Sequence, residues 1–341
     1  MYKKIIIFLS TIAALSACSS SNDEPTTTTA ATSDVVLGVD ASLMLTGENL
    51  SVTTVECTLS DGTETQCFEM TSKHTPTDHT MGPWCPETIF EDAGAGGLWF
   101  GNGTVHDVSG PFIENLATFY NDDGWQMYDE NGNVFTIETA EQCELAADPN
   151  IEAEYNNLCA QCDPAWVDAE VTYLIPVTPV KQDSPVQLSD GPTLEEPGVE
   201  YGPQVRGLAF NGVRFDHPAD IDIIVAGYQI APVDGAGGHV NNRLGYHYHG
   251  DTGVATRKEQ DDGHSAMIGY ALDGHALFAE LDPEGNAPTD LDECRGHYDD
   301  TRGYHYHTLS IDNNEIIDCF YGAWAEDDSE EQPRPRGQIA Q

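Results

Sequence analysis

The sequence predicts a mainly β protein, built as two β-rich domains with long loops and disulfides and one short helical segment in the N-terminal domain. Three observations carry that expectation. Many short apolar runs alternate with polar residues, the period-two pattern of half-buried strands. Glycine and proline, 32 and 19 of 341 residues, punctuate those runs as turn formers. Eight cysteines remain once Cys18 is set aside, an even count that reads as disulfides in an exported chain.

Export is read from the N-terminus. Lys3 and Lys4 precede an apolar run over residues 5–15, and Leu15-Ser16-Ala17-Cys18 supplies small residues at a cleavage point. This is signal-peptide organisation, and the run is short of the roughly 20 residues that span a bilayer. The tetrapeptide resembles the lipobox of bacterial lipoproteins, which implies a signal over residues 1–17 and lipidation of Cys18. Ser19 and Ser20, with no aspartate beside the cysteine, imply sorting to an outer membrane. Residues 18–34 are polar and Thr/Ser-rich, too poor in apolar side chains to fold, and read as a flexible tether.

Removal of Lys3 and Lys4 leaves 58 acidic residues against 11 basic ones, a formal charge near −47. Such a surface repels nucleic acid and anionic lipid, and is compatible with cation binding or with a salt-adapted exterior. Residues 326–341 combine an acidic run with Pro-Arg-Pro-Arg-Gly and read as a disordered tail.

An N-terminal domain is expected over residues 35–182. Strands are expected at 43–45, 51–59, 65–70, 97–100, 125–128, 134–137 and 171–175, with hairpin turns at Asp61-Gly62 and Asn131-Gly132. A three-residue loop at 61–63 would place Cys57 directly opposite Cys67. A helix is expected over 140–160, as one piece or as two broken at Asp148-Pro149. Cys159-Ala-Gln-Cys162 has the spacing of a redox dithiol or half a zinc site. Bridges to Cys85 and Cys143 are the simpler account. Cys294 and Cys319 flank a short segment and are expected to pair. His74, His79 and His106 are scattered, with no ligand spacing.

The second domain, over residues 195–325, carries the chemistry. Nine of twelve histidines lie between His217 and His307. Residues 238–249 align with 296–307 at an offset of 58, with seven of twelve positions identical, and Asp234 aligns with Asp292. Recurrence of such rare residues marks an internal repeat. In each copy Tyr-His-Tyr-His alternates with period two, so a strand puts its tyrosines on one face and its histidines on the other. A glycine-closed loop before Gly245 folds His239 back onto the histidine face, and the second copy does the same with His297. His239, His247 and His249, with His297, His305 and His307, are therefore the expected metal ligands, as two separate sites or one shared site. Imidazoles without free thiolates suit Zn²⁺, Cu²⁺ or Ni²⁺, with copper or zinc preferred here. Asp234 and Asp292 are candidate ligands or acceptors that orient an imidazole. His264, Asp273 and His275, at the ends of the apolar stretch between the copies, are candidates to complete a site or to act as acid or base. The structural alternative is core tyrosines with histidines that only hydrogen-bond.

These segments resemble the YHYH-domain family: Asn211-Gly-Val-Arg-Phe-Asp216, Gly238-His239, Tyr246-His-Tyr-His249, residues 264–274, Leu291-Asp-Glu-Cys294-Arg-Gly-His297 and Tyr304-His-Tyr-His307. The resemblance covers residues 195–322 and implies an exported bacterial protein without implying a reaction. His275 departs from the aromatic or apolar residue expected after Asp-Gly. Three functions compete. One is a surface lipoprotein that captures or stores a transition metal. The second is a metal-dependent hydrolase, and the third is a structural or adhesive protein without metal.

Overall fold

The computed structural model describes residues 35–145, 157–167, 169–191, 195–242 and 244–325. The expected signal, Cys18, the tether and the acidic tail lie outside them. The chain is mainly β, with four short helices among the described residues. None of these helices is long and apolar enough to cross a membrane.

β1 (Leu50–Thr58) and β2 (Glu64–Ser72) pair antiparallel around Asp61-Gly62. The loop sits one residue earlier than expected, with the Leu59 N–H donating to the Thr63 carbonyl at 2.9 Å. The shift gives Gly62 the third loop position, where φ is 85°; the expected loop would have put Thr63 in that left-handed place. Cys57 consequently faces Thr65 rather than Cys67, and the two cysteines bridge diagonally with Cα atoms 5.8 Å apart.

β3 (Leu98–Gly101) and β4 (Thr104–Asp107) form a second hairpin, followed by α1 (Gly110–Glu114), α2 (Leu116–Phe119) and α3 (Ala140–Leu145). The expected helix over 140–160 is realised as α3. Residues 146–156 lie outside the described ones, and β5 (Leu158–Cys159) is already extended. The strand expected at 43–45 is replaced by a 3-10 turn at Ala41–Leu43, because the Asp40 carboxylate accepts from the Ser42 N–H and hydroxyl. The strands expected at 125–128 and 134–137 pair with each other only through the Tyr128–Val134 bridge. Between them the Asp129 carboxylate takes the N–H groups of Asn131 and Asn133, each at 2.8 Å, withdrawing both from a ladder.

β6 (Val171–Pro176) joins β2, and β7 (Lys181–Gln187) follows directly, so the expected boundary between 182 and 195 falls inside a strand. The eight cysteines form Cys57–Cys67, Cys85–Cys159, Cys143–Cys162 and Cys294–Cys319. Cys159 and Cys162 are thus divided between two bridges, which removes the dithiol and zinc readings of that motif.

The remaining strands are β8 (Gly207–Ala209), β9 (Arg214–Phe215), β10 (Gln229–Ile230), β11 (Gly238–Asn241), β12 (Gly245–Tyr248), β13 (Met267–Ala271), β14 (Ala276–Phe278), β15 (Gly296–Asp299), β16 (Gly303–His307) and β17 (Cys319–Gly322). β10 pairs with β5 and β17 with β7. The other eight make one sheet in the order β11-β12-β9-β8-β13-β14-β16-β15. The main buried cluster draws side chains from both expected domains, among them Trp99, Ile175, Leu208 and Phe320.

The large sheet is two copies of one unit. In the first, the β8–β9 hairpin pairs Gly207 with Phe215, and Phe215 then pairs in parallel with Tyr248 of the β11–β12 hairpin. In the second, Gly269 pairs with Leu277, and Leu277 pairs in parallel with Tyr306 of the β15–β16 hairpin. The halves meet where β8 runs antiparallel to β13, with Leu208 opposite Tyr270. The front hairpins correspond at an offset of 62 and the rear ones at 58. The four additional residues of the first half fall in the connection that contains α4 (Ile221–Ala226).

Candidate metal centres

Each Tyr-His-Tyr-His strand is the second arm of a hairpin whose first arm supplies the Gly-His pair. His239 stands opposite His247, and His297 opposite His305. Two glycines in each hairpin make this possible. Gly245 and Gly303 close the turns at φ 76° and 68°, in the left-handed region. Gly238 and Gly296 lie under the first tyrosine ring, where an added Cβ would come within 2.5 Å of Tyr246 and 2.1 Å of Tyr304.

The period-two expectation holds in both copies. On one face Tyr246 donates to Asp234 at 2.8 Å and Tyr248 accepts from Asn211 at 2.8 Å. Tyr304 donates to Asp292 at 2.7 Å and Tyr306 to Asp273. Burial, followed by the nearby carboxylates, drives the Tyr246, Tyr304 and Tyr306 pKa values far above the ordinary phenol range. These hydroxyls are therefore protonated donors. Asp234 and Asp292, expected as ligands or imidazole acceptors, instead serve this tyrosine face and the backbone N–H groups of Gly238 and Gly296. Asp273 lies there too, as does His275, whose ring packs against Tyr304, Tyr306 and Tyr321. His79, for which the sequence offers no signal, reaches the Tyr246 hydroxyl at 3.4 Å.

The histidine faces make two separate groups. One is His239, His247 and His249; the other is His264, His297, His305 and His307. Within each group one nitrogen per residue lies within 4.8 Å of all the others. Apart from His264, which precedes β13, their members come from the two outer hairpins at opposite edges of the eight-stranded sheet, which makes two sites rather than one shared between the copies. His264, expected above as a candidate to complete a site, is a full member of the second group. His217 belongs to neither; its own carbonyl accepts from His249.

The direction of every ring is set by its Nδ1. His239, His247 and His249 place Nδ1 at 3.2, 3.0 and 2.7 Å from the carbonyls of Ala231, Gly245 and His217. His264, His305 and His307 do so at 3.1, 2.9 and 3.0 Å from Ser265, Gly303 and Ala279. His297 uses the Asp290 carboxylate at 2.9 Å. A carbonyl can only accept, so the six Nδ1 atoms that face one carry the hydrogen, and in the neutral form of those rings Nε2 keeps the lone pair. Burial favours that neutral form. It pushes His249 and His307 down to about 3 and His305 to about 4. His247, buried between His239 and His249, falls well below the ordinary histidine value.

The Nε2 atoms converge. His239 and His249 bring theirs to 3.1 Å, and His305 lies 3.0 Å from both His264 and His297. The buried Nε2 of His307 has no hydrogen-bond partner. Lone pairs this close repel unless a cation or proton lies between them. Nitrogens about 2.0–2.1 Å from a tetrahedral zinc stand roughly 3.3 Å apart, so this donor set fits a late transition-metal ion.

The surroundings differ between the copies. Asp216, buried beside the first group, lies 3.9 Å from the His247 Nε2 and is paired with Arg214. Burial opposes its ionisation, but Arg214 holds its carboxyl well below the usual range. At the corresponding place in the second copy, Phe278 packs its ring on His264, His305 and His307. Neither Asp216 nor Phe278 stands out in the sequence as a site residue. The signal was Gly-x-Ala-x-Asx-Gly, at residues 207–212 and again at 269–274, which marks the front hairpin as part of the repeat.

Fold and site together define a disulfide-bonded, mainly β protein with an internally duplicated, histidine-bearing sheet. The chain carries a YHYH domain: the family model described as YHYH protein matches residues 172–287. That match spans about a third of the chain and contains the first histidine group and His264. The second Tyr-His-Tyr-His lies beyond its end. No curated protein and no solved structure matches the chain.

Proposed function

We propose that this protein is an exported lipoprotein, anchored through Cys18 at the outer membrane, that binds one transition-metal ion, copper or zinc, in each histidine group. The observation that carries the metal reading is the orientation of seven imidazoles, each tied at Nδ1 so that Nε2 points into its group. A carbonyl or carboxylate partner on the far nitrogen fixes the tautomer and orientation of a metal-ligating histidine. Four disulfides suit an oxidising compartment, and they leave imidazole as the strongest available ligand. Capture or storage of the metal is the function this arrangement supports best.

Elemental analysis of untagged protein, after chelation and reloading with Cu²⁺ or Zn²⁺, tests the metal reading. Two equivalents per chain are expected, with one lost in His247→Ala/His249→Ala and the other in His305→Ala/His307→Ala. Sub-stoichiometric metal insensitive to both pairs of changes overturns it. Fatty-acid labelling of cells making the chain, with Cys18→Ser as control, tests the anchor.

A further inference from the structure

The duplication is close in its backbone and unequal at its two histidine groups. The same hydrogen bonds recur at matching positions. His249 Nδ1 meets the His217 carbonyl and His307 Nδ1 meets that of Ala279. His247 and His305 each turn Nδ1 to the carbonyl two residues earlier. The two groups nevertheless contain three and four imidazoles. His264 makes the difference, with its Nε2 at 3.0 Å from that of His305 and its ring 4.7 Å from Phe278. Among the described residues the first group has no fourth imidazole. The residue corresponding to Phe278 is Asp216, whose oxygens are engaged by Arg214 and by the His217 N–H. That carboxylate is not among the converging atoms of the group.

Resting on the metal-binding reading above, we infer that the two centres have diverged in coordination. His264, His297, His305 and His307 fill four positions and make a closed, storage-type or structural centre. His239, His247 and His249 fill three and leave one position for an exogenous ligand, water or a small monoanion. Structural zinc centres are four-coordinate with protein ligands, whereas centres that bind or activate a small molecule keep a position open. Asp216 supports this division, because its buried negative charge near His247 offsets part of the charge of an ion held by neutral ligands. Partial burial does not separate the two groups, since His239 in the first and His264 and His297 in the second are all partly buried; the difference lies in the number of imidazoles.

Cobalt(II) is the probe. The metal-free full chain takes up two Co²⁺, and sodium azide is then titrated while the visible d–d spectrum is recorded. The expected result is a response from one ion of the two. His239→Ala should abolish the response by removing the first centre. His264→Ala should raise the responding fraction from half to all of the bound cobalt, and His264→Gln, closer in shape, should do the same. Equal responses from both ions in the unmodified protein overturn the inference while leaving metal binding intact. So does an azide response unchanged by both His264 substitutions. Absence of cobalt uptake overturns the metal-binding reading, and this inference with it.

Discussion

Leu208 lies opposite Tyr270 at the seam of the duplicated sheet, and the flanking pairs, Gly207 with Ala271 and Ala209 with Gly269, interchange when the halves are exchanged. The approximate two-fold axis therefore passes through a backbone contact made close by glycine. An added Cβ would lie 2.3 Å from the Tyr270 carbonyl oxygen at Gly207 and 2.1 Å from that of Leu208 at Gly269. Backbone cannot swing aside as a side-chain end can. Gly207→Ala and Gly269→Ala are each expected to destabilise the protein by about 1–3 kcal/mol, the usual cost of overpacking. Urea denaturation measures this, and two near-neutral substitutions would refute the close seam.

Tyr306 is fully buried; it donates to Asp273 and accepts from the Tyr321 N–H at 2.7 Å. Tyr306→Phe leaves that N–H unpaired and Asp273 with one donor fewer. The expected loss is about 1–3 kcal/mol of stability, the cost of unsatisfied buried polar groups. Because the tyrosines occupy the face away from the histidines, metal stoichiometry should not change. Loss of metal in Tyr306→Phe, with the fold intact, would show that the two faces are coupled.

Much of this was legible before any coordinates, for physical reasons specific to each feature. Tyr-His-Tyr-His alternation needs only the period of a strand to divide its faces, and the division holds at Tyr246 and His247 as at Tyr304 and His305. Disulfides set by local spacing, Cys57–Cys67 and Cys294–Cys319, were legible too. His264 was legible only as a candidate to complete a site, since nothing local assigns it to one copy, and His305 is 41 residues away. Asp234 and Asp292 misled because two acids at the repeat offset suggest metal chemistry, whereas their geometry is that of a turn that caps Gly-His and receives a tyrosine hydroxyl. The extent of the repeat was missed because its front hairpins keep only Gly, Ala and an Asx-Gly turn in common, and a four-residue difference in length separates the two offsets.

The disulfides should differ in what they contribute. Cys85 and Cys159 are 74 residues apart in sequence, Cys57 and Cys67 only 10. On the chain-entropy account, closing the longer loop stabilises by roughly 4 kcal/mol and the shorter by roughly 3 kcal/mol. Cys85→Ala/Cys159→Ala is therefore expected to cost more than Cys57→Ala/Cys67→Ala in matched denaturation curves. The reverse order would mean that strain in the native state or residual structure in the unfolded chain outweighs loop closure. Metal content should survive loss of the hairpin bridge, because no cysteine among the described residues belongs to either histidine group.

Acid should destabilise the metal-free protein earlier than its carboxylates alone would dictate. His74, His249 and His307 have pKa values pushed down to about 3 by burial, and His305 to about 4. The unfolded chain titrates these rings near 6.5. Below that pH it binds protons that the folded chain refuses. Stability then rises with pH wherever the unfolded state holds more protons. The stabilisation is fully present above pH 6.5 and is lost progressively as pH falls toward 4 and 3. Urea midpoints measured from pH 7.5 to 4.5 should fall with a slope reduced in His249→Gln and His307→Gln, neither of which titrates. Bound metal should hold the midpoint up to lower pH, since an ion at Nε2 competes with the proton for the same lone pair. A metal-free protein whose midpoint is flat between pH 7 and 5 would show that these imidazoles are not held neutral, and would remove the electrostatic basis for two preformed nitrogen sites.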